Sequence, residues 1–235
     1  RSVPLLARHF DAVSVANNHS GDFGPEAFAE QLDLLKQGGV PYFGGGKDLA
    51  EAHAPLILER NGLKIALLGY NEVELRSFEA GPERPGLAWS VDEQVERDIR
   101  SARERADLVV VYPHWGLEYH FEHSARQAEL ARKMIDAGAD LVIGNHPHWV
   151  GAMEVYRGRP IWYALGNFVF DQAWSEPTQE GLLLELTFRG RTLVQVRLHP
   201  TIILDQAQPN LLDPGRDGAA VLDQLYQASG RLLGW

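Results

Sequence analysis

Three stretches of this chain repeat one pattern: an Asp, an apolar run of strand length, and an ending in Asn or His. They are FDAVSVANNHS from Phe10, ADLVVVYPHWG from Ala106 and ADLVIGNHPHW from Ala139. A short apolar run bounded by turn residues reads as a strand covered on both faces. Ahead of the second and third stand VDEQVERDIRSARER and SARQAELARKMIDAG, whose apolar and Ala positions recur at the three- and four-residue spacing of an amphipathic helix. Alternating helices and buried strands make βαβ units and an α/β fold. Such sheets bind ligands beyond the carboxyl ends of their strands. The pattern puts Asn17, Asn18, His19, His114, Glu118, His146 and His148 at those ends.

The rest of the chain fits the same grammar. GPEAFAEQLDLLKQGGV reads as a helix closed by Gly38-Gly39, and GLKIALLGYNE as a further strand. IWYALGNFVF, GLLLELTF and TLVQVRLHP read as antiparallel strands, with a tight turn at Gly190-Arg191. EVELRSFEAGPERPGLAWS is a long surface loop, and after Pro200 a Pro/Gly/Asp loop leads to a closing helix, AAVLDQLYQAS. No linker divides the 235 residues, so one domain over 1–235 is expected. The triple glycine at 44–46 lacks the spacing and the Lys-Ser/Thr of a nucleotide loop and reads as a turn.

Composition narrows the chemistry. With 22 Lys+Arg against 32 Asp+Glu the formal charge is -10, which argues against nucleic acid as a partner. There is no cysteine, so any metal must be held by nitrogen and oxygen. No run of about 18 apolar residues offers a membrane span, and RSVPLLARHF lacks the apolar core of a signal peptide.

GNHPH at 144–148 is the most informative motif. Pro147 fixes φ and ends ladder pairing, so His146 and His148 are presented in a turn. Two imidazoles there suit a shared divalent ion, although both rings bonding to backbone carbonyls is the alternative. Imidazole selects zinc, manganese or iron, and amide and carboxylate oxygens add affinity for manganese or magnesium. The metal identity stays open, as does the number, one or two ions. His19, after two asparagines, is the candidate proton donor to a leaving group; the alternative is a role at the start of the following helix, with Ser20 and Asp22 as caps. His114 could instead be packed among aromatics, Glu118 could simply face water, and Asn167 and Asp171 could belong to a turn and strand. His9, His53, His120, His123 and His199 are expected on surfaces or loops. Asp11, Asp107 and Asp140, at the opposite strand ends, are expected to be turn residues.

ANNHS followed by Asp22, HWGLEY, GADLVIGNHPHWV and YALGNFVFDQ, in this order, resemble the poly-gamma-glutamate capsule protein family called CapA, from about Phe10 to about Pro200. The resemblance implies a calcineurin-like metallophosphoesterase-type layered fold with mixed sheets and helices packed outside. It also implies Asn18, His114, His146 and His148 as metal ligands, His19 as the proton donor, and Asn17, Asp22, Glu118, Asn167 and Asp171 as site-lining candidates. The family's first strand, with a Gly-Asp motif supplying an aspartate ligand, is expected to be missing before Arg1, which leaves a neutral ligand set that Glu118 or Asp22 would supplement. Asn145 stands where the family often has a further histidine. The implied function is capsule or poly-gamma-glutamate synthesis or export, by hydrolysis of a phosphoester or an anionic cell-surface polymer. The alternative is a non-catalytic subunit that binds polymer or assembles with other subunits of an export complex. A cell-envelope or extracellular location follows by the same analogy, with any anchor lying before Arg1.

Overall fold

The computed structural model describes residues 2–73 and 76–233; Glu74 and Leu75 of the expected surface loop lie outside the described residues. The chain forms two compact units. The first comprises Arg1–His114 with Asp136–Asp140, the second Trp115–Ile135 with Leu141–Trp235.

In the first unit, Leu63–Asn71 and Leu108–His114 lie parallel, in a register that sets Asn71 opposite His114. Leu56–Arg60 pairs antiparallel on the other side of Leu63–Asn71. That hairpin closes through Asn61 and Gly62, with φ of 51° and 78°. Positive φ at both positions is the turn whose twist matches that of paired strands, and Asn-Gly is its favoured sequence. The short strand Val13–Ser14 pairs parallel with Tyr42–Phe43, and Gly45–Gly46 pairs antiparallel with Gly86–Leu87, so the triple glycine enters a strand rather than a simple turn. The helices Gly24–Gln37 and Asp92–Arg105 form where the apolar spacing predicted them. The first buries Phe28, Leu32 and Leu35 against Val15, Val40 and Leu87. The second buries Val95, Ile99 and Ala102.

Asp140 is more than a turn residue. Its buried carboxylate accepts from the backbone N–H of Val109 at 2.8 Å and pairs with Arg103 at 2.5 Å. Breaking one side of such a pair strands the other charge in the interior. Asp107 likewise caps its neighbour, accepting from the Lys64 N–H at 2.9 Å. His53 is not a surface residue either: its Nδ1 lies 2.7 Å from Asp98, whose carboxylate also accepts from Tyr70 and Gln94.

In the second unit, Leu141–Ile143 pairs parallel with Arg159–Trp162, which pairs antiparallel with Met153–Tyr156. A separate three-stranded antiparallel sheet joins Glu180–Arg189, Thr192–Leu204 and Gln208–Leu211. Two expectations change here. The segment from Ile161 is a strand only to Trp162, because Gly166 and Asn167 turn away. Conversely, the strand from Thr192 continues past Pro200 to Leu204 and returns as an edge strand containing Pro209. The closing helix Ala219–Leu233 packs Val221 and Leu225 against Val150 and Leu182.

His123 also departs from a surface reading. Its ring stacks on Tyr163 at 4.0 Å and 14°, and burial holds its pKa below the ordinary 6.5, against an opposing pull from Glu154. A lowered folded-state pKa means the unfolded chain binds the proton more readily, so His123 contributes stability above pH 6.5 that is lost as pH falls from there through the folded value. The substitution His123→Phe, which keeps a stacked ring, should flatten the fall in urea midpoint between about pH 7 and pH 5. An unchanged slope would remove His123 from the acid response.

Candidate functional site

Strand ends position the candidate side chains. In the first unit, Val13–Ser14 leads through buried Val15 and Ala16 into a 3-10 turn, Asn18–Gly21. Asn17 begins this turn, its side-chain oxygen accepting from the His19 N–H at 2.8 Å. Asn18 is thereby turned inward and buried, with its Oδ1 2.9 Å from Nε2 of His114. These two residues are 96 apart in sequence. His19 points the other way. Its side chain is 61% exposed, and Nδ1 sits 3.0 Å from the carboxylate of Asp22, which leaves Nε2 turned away from that bond. Asp22, expected to line the site, supplement the ligand set or cap the following helix, instead orients His19.

In the second unit the strand Leu141–Ile143 runs into GNHPH. Gly144 is required there, because a Cβ would lie 2.2 Å from the Tyr163 carbonyl oxygen and 2.4 Å from Nε1 of Trp115. Those two atoms hydrogen-bond each other across it at 3.0 Å. Beyond it His146 and His148 have φ of 102° and 63°, a region that residues with a Cβ rarely occupy, and Tyr119 at 61° shares this strain. The Tyr119 N–H donates to the Pro147 carbonyl at 2.9 Å and ties the two loops together.

Asn167 fixes the His148 ring. Its Oδ1 lies 2.8 Å from His148 Nδ1, and its amide donates to the Thr178 carbonyl at 2.9 Å, so Asn167 must present oxygen to the imidazole. Nδ1 therefore carries a proton, and Nε2 faces the Glu118 carboxylate, 3.5 Å from its Oε1. Tyr119 stacks on the ring at 5.7 Å, and the His146 ring is 6.1 Å away. Asp171 is exposed, and among the described residues its carboxylate makes no hydrogen bond to these groups. Asn145 bonds to its own turn, with Nδ2 to the Ile143 carbonyl at 3.3 Å.

Whether these residues fit a metal is a question of donor type and spacing. An ion about 2.1 Å from both Asn18 Oδ1 and His114 Nε2 would see their 2.9 Å separation at about 90°, an octahedral rather than a tetrahedral angle, and His148, held at Nδ1 by Asn167, has Nε2 as its second nitrogen. The residues fit in kind. In each unit they come as pairs: among the described residues no group of three or more His, Asp or Glu stands together as a metal site.

Sequence reasoning missed Tyr119 and Asn71. Asn71 ends its strand opposite His114, is wholly buried, and donates to the Val73 carbonyl at 2.8 Å. Its signal was available in IALLGYNE, an apolar run that also ends in Asn.

Mixed parallel and antiparallel strands, with polar residues collected at strand ends and helices between, define a calcineurin-like metallophosphoesterase-type fold. The solved 5'-nucleotidase precursor of Thermus thermophilus superposes over 99% of this chain and 45% of that one, with a TM-score of 0.57 at 16% identity. Residues 2–172 match the family described as bacterial capsule synthesis protein PGA_cap, and the chain belongs to that family. It is 38% identical over 180 residues to the PGA biosynthesis protein CapA of Bacillus subtilis, covering 76% of this chain and 47% of that protein. It is 31% identical over 230 residues to the capsule biosynthesis protein CapA of Bacillus anthracis, covering 96% and 56%. The chain thus spans about half the length of the curated relatives it matches.

Gly144→Ala should lower the unfolding midpoint by the equivalent of at least about 2 kcal/mol, because neither the Tyr163 carbonyl nor the Trp115 indole can retreat without breaking their bond. Thermal unfolding of the purified variant checks this; a midpoint equal to that of the parent would show that the turn can shift at little cost.

Proposed function

We propose that this chain is a metal-dependent hydrolase of capsule or poly-gamma-glutamate metabolism at the cell envelope, acting on a phosphoester or a bond in an anionic polymer. The observation that carries the reading is the pair formed by exposed His19 and Asp22 on the same turn as buried Asn18. Asn18, His114, His146 and His148 are the proposed ligands for one or two divalent ions; manganese, zinc, iron and magnesium all suit their nitrogen and oxygen donors. When bound, the ion would supply Lewis-acid polarisation of the scissile group.

The chain's own residues supply the rest. Asp22 holds His19 at Nδ1, which leaves Nε2 as the nitrogen that delivers a proton to the departing oxygen. Asn17 keeps that turn from unwinding, and Asn167 keeps His148 in one tautomer. Support for the metabolic setting comes from family membership and from the printed names of the two Bacillus relatives. Among the described residues no helix is long and apolar enough to cross a membrane.

A second reading, a polymer-binding or assembly subunit of an export complex, is favoured by one observation. Phe168, Val169, Phe170 and Trp174 form an exposed apolar run directly after Asn167, as a docking surface for another protein would.

Metal content after mild purification, and turnover of an aryl phosphate with added manganese, separate the two. For the hydrolase, His19→Ala and His146→Ala should each lower kcat by about 100-fold or more, and Asp22→Asn should lower kcat with KM retained. Metal-loaded protein without turnover, which still binds polymer, would establish the subunit reading.

A further inference from the structure

A cavity of about 210 Å³ opens beside the turn that carries His19. Ser20 and Gly21 of that turn form one wall, and Phe28, Phe78 and Leu87 form most of the remainder. Phe78 is held in place by Gly21, where a Cβ would meet its ring at 2.4 Å, so the ring lies flat against the backbone next to His19. The Ser20 hydroxyl is spent within the fold, donating to the Val15 carbonyl at 2.8 Å. Apart from exposed Ser77, the side chains of these walls are therefore apolar.

Among the described residues one charged side chain lines the cavity, that of Arg84. Its Nη2 donates to the backbone carbonyl of Glu79 at 2.8 Å, which anchors the guanidinium without neutralising it. The Glu79 carboxylate is engaged elsewhere, by Arg76 at 2.8 and 3.2 Å. Glu26 stands near Gly24 at the helix start, but among the described residues no carboxylate belongs to the lining. Apolar walls with one anchored guanidinium select a short hydrocarbon stem that ends in an anion, and the planar fork of arginine matches a carboxylate. Pockets for drug-sized ligands run to about 300–1,000 Å³, so this one takes a single residue-sized group.

We infer that the cavity is a binding subsite for one carboxylate-bearing repeat of the substrate, its methylenes against Phe28, Phe78 and Leu87 and its carboxylate on Arg84. This rests on the hydrolase reading above and adds to it the recognised group. Ser20 and Gly21 of the lining follow His19 in the chain, so a unit seated there adjoins the turn that carries the proposed proton donor. Specificity for the anionic repeat then comes from Arg84, while His19 and Asp22 remain concerned with proton transfer.

The probe is N-acetyl-γ-glutamyl-glutamate, titrated calorimetrically into the full chain, with its neutral diamide as control. Arg84 and Ser77 are both exposed, so Arg84→Gln and Ser77→Trp, which fills the mouth, should leave the thermal midpoint near that of the parent. Binding of the acid should weaken about tenfold in Arg84→Gln and vanish in Ser77→Trp, and the diamide should bind about tenfold more weakly to the parent. His19→Ala should bind within about twofold of the parent. Equal binding of acid and diamide, parent-like affinity in both cavity variants, or no binding to the parent would each overturn the subsite. Aryl phosphate turnover is read separately: its loss in His19→Ala with cavity variants unchanged in binding keeps the hydrolase and removes the subsite. The expected binding pattern without turnover in any form keeps the subsite and removes the hydrolase.

Discussion

A strand covered on both faces has room for a polar side chain only where its ladder stops. Leu108–His114 is buried along almost its whole length, as is Leu141–Ile143, and each gives way at once to imidazole or amide side chains. Burying an imidazole in mid-strand would require partners for two nitrogens among aliphatic neighbours, at a desolvation cost of about 1–3 kcal/mol for each unmet group. The apolar runs thus determine where chemistry is permitted. Parallel pairing then sets the height at which it appears, since the register that joins Leu67 to Val110 also brings Asn71 level with His114.

That constraint explains why the strand ends could be found from sequence and much else could not. Runs such as ADLVVVYPH and ADLVIGNHPH state their burial by composition, and the amphipathic helices Gly24–Gln37 and Asp92–Arg105 state theirs by periodicity. The functions of Asp140, His53 and His123 were hidden because each depends on a partner distant in sequence: Arg103 and Val109, Asp98, and Tyr163 respectively. An Asp before a strand looks the same whether it faces water or is buried against a half-buried guanidinium. The strand beyond Pro200 was hidden for another reason. Proline weakens a strand assignment, yet at this position the chain still pairs, with Pro200 opposite Leu182.

Within the candidate site, residue types were readable and roles were less so. Asn18 and His114 could be named together only by motif order, whereas their 2.9 Å contact is a product of the fold. Asp22 and Asn167 share one task in different places, each fixing Nδ1 of a histidine, so that Nε2 faces away from Asp22 in His19 and toward Glu118 in His148. The strain at His146, His148 and Tyr119 has no signature in composition, since none of the three is glycine. It persists because the Gly144 crossing and the Tyr119–Pro147 bond leave the turn no alternative path.

The edge strand Gln208–Leu211 carries a proline at its second position, opposite Ile203. Unpaired edges invite other chains to continue the sheet, and a missing N–H interrupts the row of donors that such growth requires. With only four residues and that gap, the edge gives a neighbouring molecule too little to grip. Crowded copies of this protein therefore meet an interrupted border along this strand instead of a continuous template for spreading.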